Sequence, residues 1–279
     1  MNKERPDERE AMRIVENVLG VALEHADTHG GVDYLSGDGR HAVEVTRVTD
    51  GRRRAGRVAL DKSREADEPA GELRTCWLTF APDTQPGLRT FVQRVHPVLV
   101  ELEQAGETSF ERQRATVHVI QRGPLSPIYR PLIEAGVERA SAMPDHAHRR
   151  HAHRVIPTLG SGGTSSGSDR ALGLLTDTLG EKQDNPKKLL ASGVEHRHLF
   201  VWIDADTRFD IARPLSHEAP SWHDGFGLPS TPPALDPAIT HLWVVHQGSR
   251  MGWFWDGQAW QGLRDRTENS QASSPTTNC

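Results

Sequence analysis

Two carboxylates, Asp33 and Glu44, are the side chains whose type and spacing most directly suggest chemistry. They lie in Val32–Val48, which reads as two strand-like runs, Val32–Leu35 and Arg40–Val48, joined by Ser-Gly-Asp-Gly, a hairpin turn whose glycines suit positive φ. In the second run Ala42, Glu44 and Thr46 share one face while Val43 and Val45 take the other. Glu44 therefore falls mid-strand, where a carboxylate is costly without a partner. Antiparallel pairing of the two runs brings Asp33 close to Glu44. Two carboxylates held together share a proton or recruit a cation, and hard oxygen donors suit Mg²⁺ or Mn²⁺.

An Asp on one strand and Glu-x-Thr on the next, after an amphipathic helix, resembles the core of the PD-(D/E)xK nuclease-like superfamily, here in a Glu-x-Thr variant. The resemblance implies an α/β fold with a restriction-endonuclease-like mixed sheet flanked by helices. It also implies Mg²⁺- or Mn²⁺-dependent phosphodiester hydrolysis on DNA or RNA, with Asp33 and Glu44 as metal ligands. In that family a Lys two residues after the Glu helps activate water, and Thr46 stands at that position. A hydroxyl supplies no positive charge, so the cation has to come from elsewhere, from Lys182, Lys187 or Lys188. A Glu in the first helix joins the metal site in some members; Glu16 reads instead as a solvated helix residue. The segment Lys182–Trp202 is similar to the later half of uncharacterised actinobacterial proteins with the same Glu-Val-Thr core.

Arginine forks suit phosphate, which makes Arg52, Arg53 and Arg54, with Arg47 on the far side of the Glu44 strand, candidate nucleic-acid contacts. The plainer reading of 52–54 is a solvated approach to a short helix, Arg57–Glu65. Three further patterns carry weaker signals. His146, His148, His151 and His153 could chelate Zn²⁺ or Ni²⁺, but the arginines among them repel a dication. Gly163–Gly167 matches Gly-x-Ser-x-Gly, making Ser165 a remote serine-hydrolase nucleophile, although a Gly/Ser run matches by chance. Trp253, Trp255 and Trp260 in a hairpin turning at Asp256-Gly257 could stack bases, or simply pack across strands.

A net charge of −5 gives no global drive toward polyanions or anionic membranes. Two cysteines, one at the extreme C-terminus, form no disulfide framework, and no apolar run approaches membrane-spanning length. A cytoplasmic protein without membrane contact is the expectation. Asp7 with Glu10 predicts a helix start, and apolar spacing carries that helix to about Leu23. Strands are expected at Arg74–Phe80, Thr116–Gln121, Val155–Leu159, His196–Asp204 and Thr240–Gln247. Helices are expected at Leu88–Gln104 (kinked or broken at Pro97), Pro131–Arg139, Asp169–Gly180 and Pro186–Ser192. This ordering suggests a nuclease-like core over 1–122, a His/Arg- and Gly/Ser-rich loop region over 123–168, a C-terminal α/β extension with the aromatic hairpin over 169–264, and a disordered tail over 265–279. A non-catalytic binding protein on the same fold is the competing expectation.

Overall fold

The computed structural model describes residues 3–27, 30–65, 73–82, 87–116, 127–143, 154–160, 167–216 and 226–263. In chain order the first elements are α1 (Pro6–Leu19), β1 (Leu23–His25), β2 (Tyr34–Ser36) and β3 (His41–Val48). Then come α2 (Gly51–Glu65), β4 (Trp77–Pro82), α3 (Phe91–Gln104), β5 (Ser109–Glu111), α4 (Arg130–Glu134), β6 (Arg139–Ala142) and β7 (Val155–Gly160). The chain closes with α5 (Ser168–Gly180), α6 (Asp184–Ala191), β8 (His196–Ile203), α7 (Phe209–Ala212), β9 (His241–His246), β10 (Gly252–Trp255) and β11 (Trp260–Leu263). These elements form two compact units, one of Met1–Thr49 with Gly163–Cys279, the other of Asp50–Gly162.

In the first unit the described strands form a mixed sheet in the order β1-β2-β3-β8-β9-β10-β11. β1, β2 and β3 pair antiparallel, β3, β8 and β9 run parallel, and β9, β10 and β11 are antiparallel again. The consecutive apolar run of β8 is explained by cover on both faces. Leu199, Val201 and Ile203 pack with Leu172, Leu175 and Leu189 of α5 and α6. Phe200 and Trp202 pack on the other side with Ala11 and Val15 of α1. Ala42 joins the first of these layers and Val43 and Val45 the second, so the strand alternates as its sequence requires. The strands expected at 196–204 and 240–247 do extend the sheet that carries Glu44.

In the second unit β5-β6-β4-β7 form a separate sheet, covered by α2 and α3 through Leu60, Phe91, Val95 and Leu99. Residues 50–122 were expected inside the core that holds Asp33 and Glu44; instead α2, β4, α3 and β5 belong to this second unit. An apolar strand in sequence does not say which sheet it joins, because pairing partners are set by tertiary packing.

Local differences have identifiable causes. The first helix stops at Leu19 because Gly20 adopts φ 70, and the chain turns into β1 instead of continuing to Leu23. Its start lies two residues earlier than expected, with Arg5 as N-cap and Glu8 accepting from the Arg5 backbone N–H. Arg52–Arg54 are inside α2, not before it: Asp50 accepts from the backbone N–H groups of Arg52 and Arg53 and starts the helix at Gly51. α3 continues through Pro97, which lies on its exposed side. The expected strand at Thr116–Gln121 falls almost wholly outside the described residues, as do the 144–153 part of the histidine segment, Ser165 and the tail. Among the described residues no helix is long and apolar enough to cross a membrane.

Candidate functional site

The hairpin expectation holds at the site. β2 and β3 pair with Tyr34 opposite Val43 and Leu35 opposite Ala42, and one further step along that register sets Asp33 opposite Glu44. The turn is fixed by Gly39 at φ 68 and by Asp38, which accepts from Arg40 N–H. Asp33 Oδ2 accepts from Val45 N–H at 2.7 Å, which orients its carboxylate beside Glu44. Asp33 and Glu44 are 4% and 3% exposed, and burial on that scale requires partners.

Glu44 finds its partner on α6. Leu189 is buried in the layer under the sheet, and adjacent Lys188 donates from Nζ to Glu44 Oε1 at 2.8 Å. Glu44 Oε2 is buried and has no hydrogen-bond partner. Burial, then the charge of Asp33, pushes the Glu44 carboxyl up to about 7 against the pull of Lys188. Burial pushes Asp33 up to about 6, opposed by the Val45 N–H. Burial works to lower Lys188, but the bond to Glu44 and the charges of Glu44, Asp33 and Asp184 together raise it, so the amine is a firm cation.

These groups open into a cleft of about 320 Å³ lined by Lys3, Arg5, Glu8, His25, Asp27, Asp33, Glu44, Val45 and Lys188. The wall from α1 is ordered by Glu8, which accepts from Arg5 N–H at 2.7 Å and pairs with the Arg5 guanidinium at 2.7 Å. Glu8, not Glu16, is thus the first-helix glutamate of the site; Glu16 accepts from Leu23 N–H where the helix turns into β1. The signal for Glu8 was its place three residues after Arg5, hidden by taking Asp7 as the cap. His25 and Asp27 depend on β1, which the helical reading of Leu23 concealed.

The other candidates separate. Lys182 donates to the Arg47 carbonyl and, at 3.3 Å, to Thr46 Oγ1, and burial lowers its pKa. Lys182 therefore serves the Thr46 position while Lys188 serves Glu44. Arg47 is spent on structure, pairing with Asp204 at 2.9 Å and Asp7 at 3.3 Å. Arg52, Arg53 and Arg54 belong to the second unit. In the hairpin Trp253 is buried, Trp260 donates to the Thr231 carbonyl, and the Trp255 and Trp260 rings lie 5.4 Å apart, which makes this aromatic set a packing feature.

A second cluster went unread in the sequence. His41, His196, His198 and His241 head β3, β8 and β9, and register stacks them side by side, with ring centroids of 4.6 Å for 41–196 and 4.2 Å for 198–241. Trp243 Nε1–H donates to His198 Nδ1 at 3.2 Å, so the His198 proton sits on Nε2, 3.0 Å from His41 Nδ1. Ring nitrogens bind metals in the ring plane, and the stacked pair His41 and His196 does not converge its lone pairs on one point. No three His, Cys, Asp or Glu among the described residues are placed to hold a metal together.

The carboxylate pair nonetheless suits Mg²⁺ chemically, because that ion is commonly held by one or two carboxylates and completes its shell with water and substrate oxygens. The partnerless Glu44 Oε2 is an oxygen of the right hardness with nothing else to satisfy it. Comparison with protein-family models, with curated proteins and with solved structures returns no match to this chain.

Proposed function

We propose that this protein hydrolyses phosphodiesters with the help of a divalent cation held by Asp33 and Glu44. The observation that carries this reading is the Lys188 ammonium, 2.8 Å from Glu44 Oε1. It completes an Asp, Glu and Lys set although Thr46 occupies the usual lysine position. The reading is also supported by the first unit's order, in which α1 and β1–β3 are followed by α5, α6 and β8, although these are not the elements from which the sequence suggested a nuclease-like core.

A bound Mg²⁺ would neutralise charge on the scissile phosphate and sharpen a water as nucleophile. Val45 N–H fixes Asp33, and Lys188 fixes Glu44 and sets a positive charge beside the reacting phosphate. Arg5 and Lys3 on the α1 wall are placed for the outer phosphate oxygens. With Mg²⁺ or Mn²⁺, bis(p-nitrophenyl) phosphate and thymidine oligonucleotides are the substrates to assay. Glu44→Gln and Lys188→Met are expected to lower kcat by roughly 100-fold or more each, in line with loss of one electrostatic stabiliser. Equal rates for wild type and Glu44→Gln would remove the nuclease reading.

The raised carboxyls favour a second reading, a non-catalytic binding protein in which Asp33 and Glu44 share a proton in place of a cation. Under that reading Mg²⁺ releases no protons from the wild-type protein at pH 7 and no diester is cleaved.

A further inference from the structure

The size and charge of the Asp33/Glu44 cleft select among phosphodiesters. Its volume of about 320 Å³ lies at the small end of the roughly 300–1,000 Å³ usual for small-molecule sites. Among the described residues its full cations are Lys3, Arg5 and Lys188. Arg5 is already paired with Glu8 and Lys188 with Glu44, which leaves Lys3 without an ion-pair partner among the described residues. Glu8 and Asp27 also line the walls and repel any additional phosphate. Proteins that grip a nucleic-acid strand neutralise roughly 6–10 phosphates, whereas this cleft has spare charge for about one. Stacking offers no substitute: among the described residues no Trp, Tyr or Phe lines the cleft, the His25 ring there packs edge-on to Tyr34, and the hairpin tryptophans are engaged in packing.

We propose that the cleft is built for a small phosphodiester of dinucleotide size, taken one phosphate at a time, and not for a strand or duplex. The inference rests on the phosphodiesterase reading above and narrows its substrate. The reaction joins a water oxygen to phosphorus and breaks the bond to one ribose oxygen. The water's proton passes to solvent and the leaving oxygen takes one back, which yields a nucleotide and a nucleoside.

The test compares wild-type kcat/KM, with Mn²⁺, on thymidylyl-thymidine and on a thymidine strand of about 20 nucleotides, between about 50 and 300 mM NaCl. Expected are values within about threefold of each other per bond and a log–log salt slope near −0.7, the value for about one neutralised phosphate. Metal-free binding by equilibrium dialysis supplies a readout independent of turnover, with Lys3→Ala weakening dinucleotide binding about fivefold, about the effect of one screened charge contact. A strand preferred about 30-fold or more, with a slope steeper than about −3, would overturn the inference and leave the phosphodiesterase reading standing. If that slope also relaxed in Arg52→Ala/Arg53→Ala/Arg54→Ala, the second unit would be the part that grips the strand. No cleavage of any diester, bis(p-nitrophenyl) phosphate included, removes both.

Discussion

Glu44 and Asp33 retain protons that the same groups would shed in the unfolded chain. Folded, they titrate at about 7 and about 6; unfolded, both titrate near about 4. Between these values the folded state carries the extra protons, so this pair's contribution to stability is complete below about pH 4 and is lost as pH rises through 6 to 7. Asp33→Asn/Glu44→Gln, which keeps the shapes and removes these two charges, is expected to gain about 4 kcal/mol on wild type between pH 5 and pH 8 in urea unfolding. A pH-independent difference would contradict the burial argument. The pair itself was legible in the sequence because hairpin register is a local property. Of three candidate lysines the sequence favoured Lys182, which bonds Thr46 and the Arg47 carbonyl; Lys188 lies 144 residues from Glu44 and only the packing of α6 brings it there.

At the scale of elements, the leading ends of β3, β8 and β9 are locked by uncharged imidazoles. Burial, then neighbouring histidines, lowers His41, His198 and His241, the last to about 4. Arg40 adds to the effect at His41, while Asp38 and Glu195 oppose it there and Asp256 opposes it at His241. The folded state therefore binds fewer protons than the unfolded one below about pH 6.5, so stability falls as pH drops from there toward about 4. This dependence is opposite in sign to that of the carboxyl pair. His198→Gln, whose amide oxygen can still accept from Trp243, is expected to flatten the loss of Tm between pH 7 and 4.5. An unchanged acid limb would show that the cluster is not its origin. Each histidine was visible at the head of an apolar run, but strand order was not, and strand order is what assembles the four. β1 was hidden for the opposite reason: Leu23 stays in phase with the apolar stripe of α1, and the one sign of a break was Gly20.

At the scale of the whole molecule, the chain leaves the sheet of the first unit after β3, builds the second unit, and returns through α5 and α6 to lay β8 beside β3. The sequence boundaries near 122 and 168 followed composition, whereas the structural boundaries at 49/50 and 162/163 follow where contacts cease to be shared. Because strand pairing in the second unit (Trp77 with Val155) closes a shorter stretch of chain than β3–β8 pairing in the first (His41 with His196), the second unit is expected to acquire hydrogen-exchange protection first in refolding, at Trp77–Ala81 before Val43–Val45. Simultaneous protection would argue for one cooperative body. His41 and His198, which touch across the central ladder, are 157 residues apart. On a ribosome adding about 5–20 residues per second, β3 emerges on the order of ten seconds before its neighbour exists. During that interval the nascent chain displays an apolar strand with one unpaired backbone edge, a surface that chaperones bind, and the inserted unit sets how long it does so.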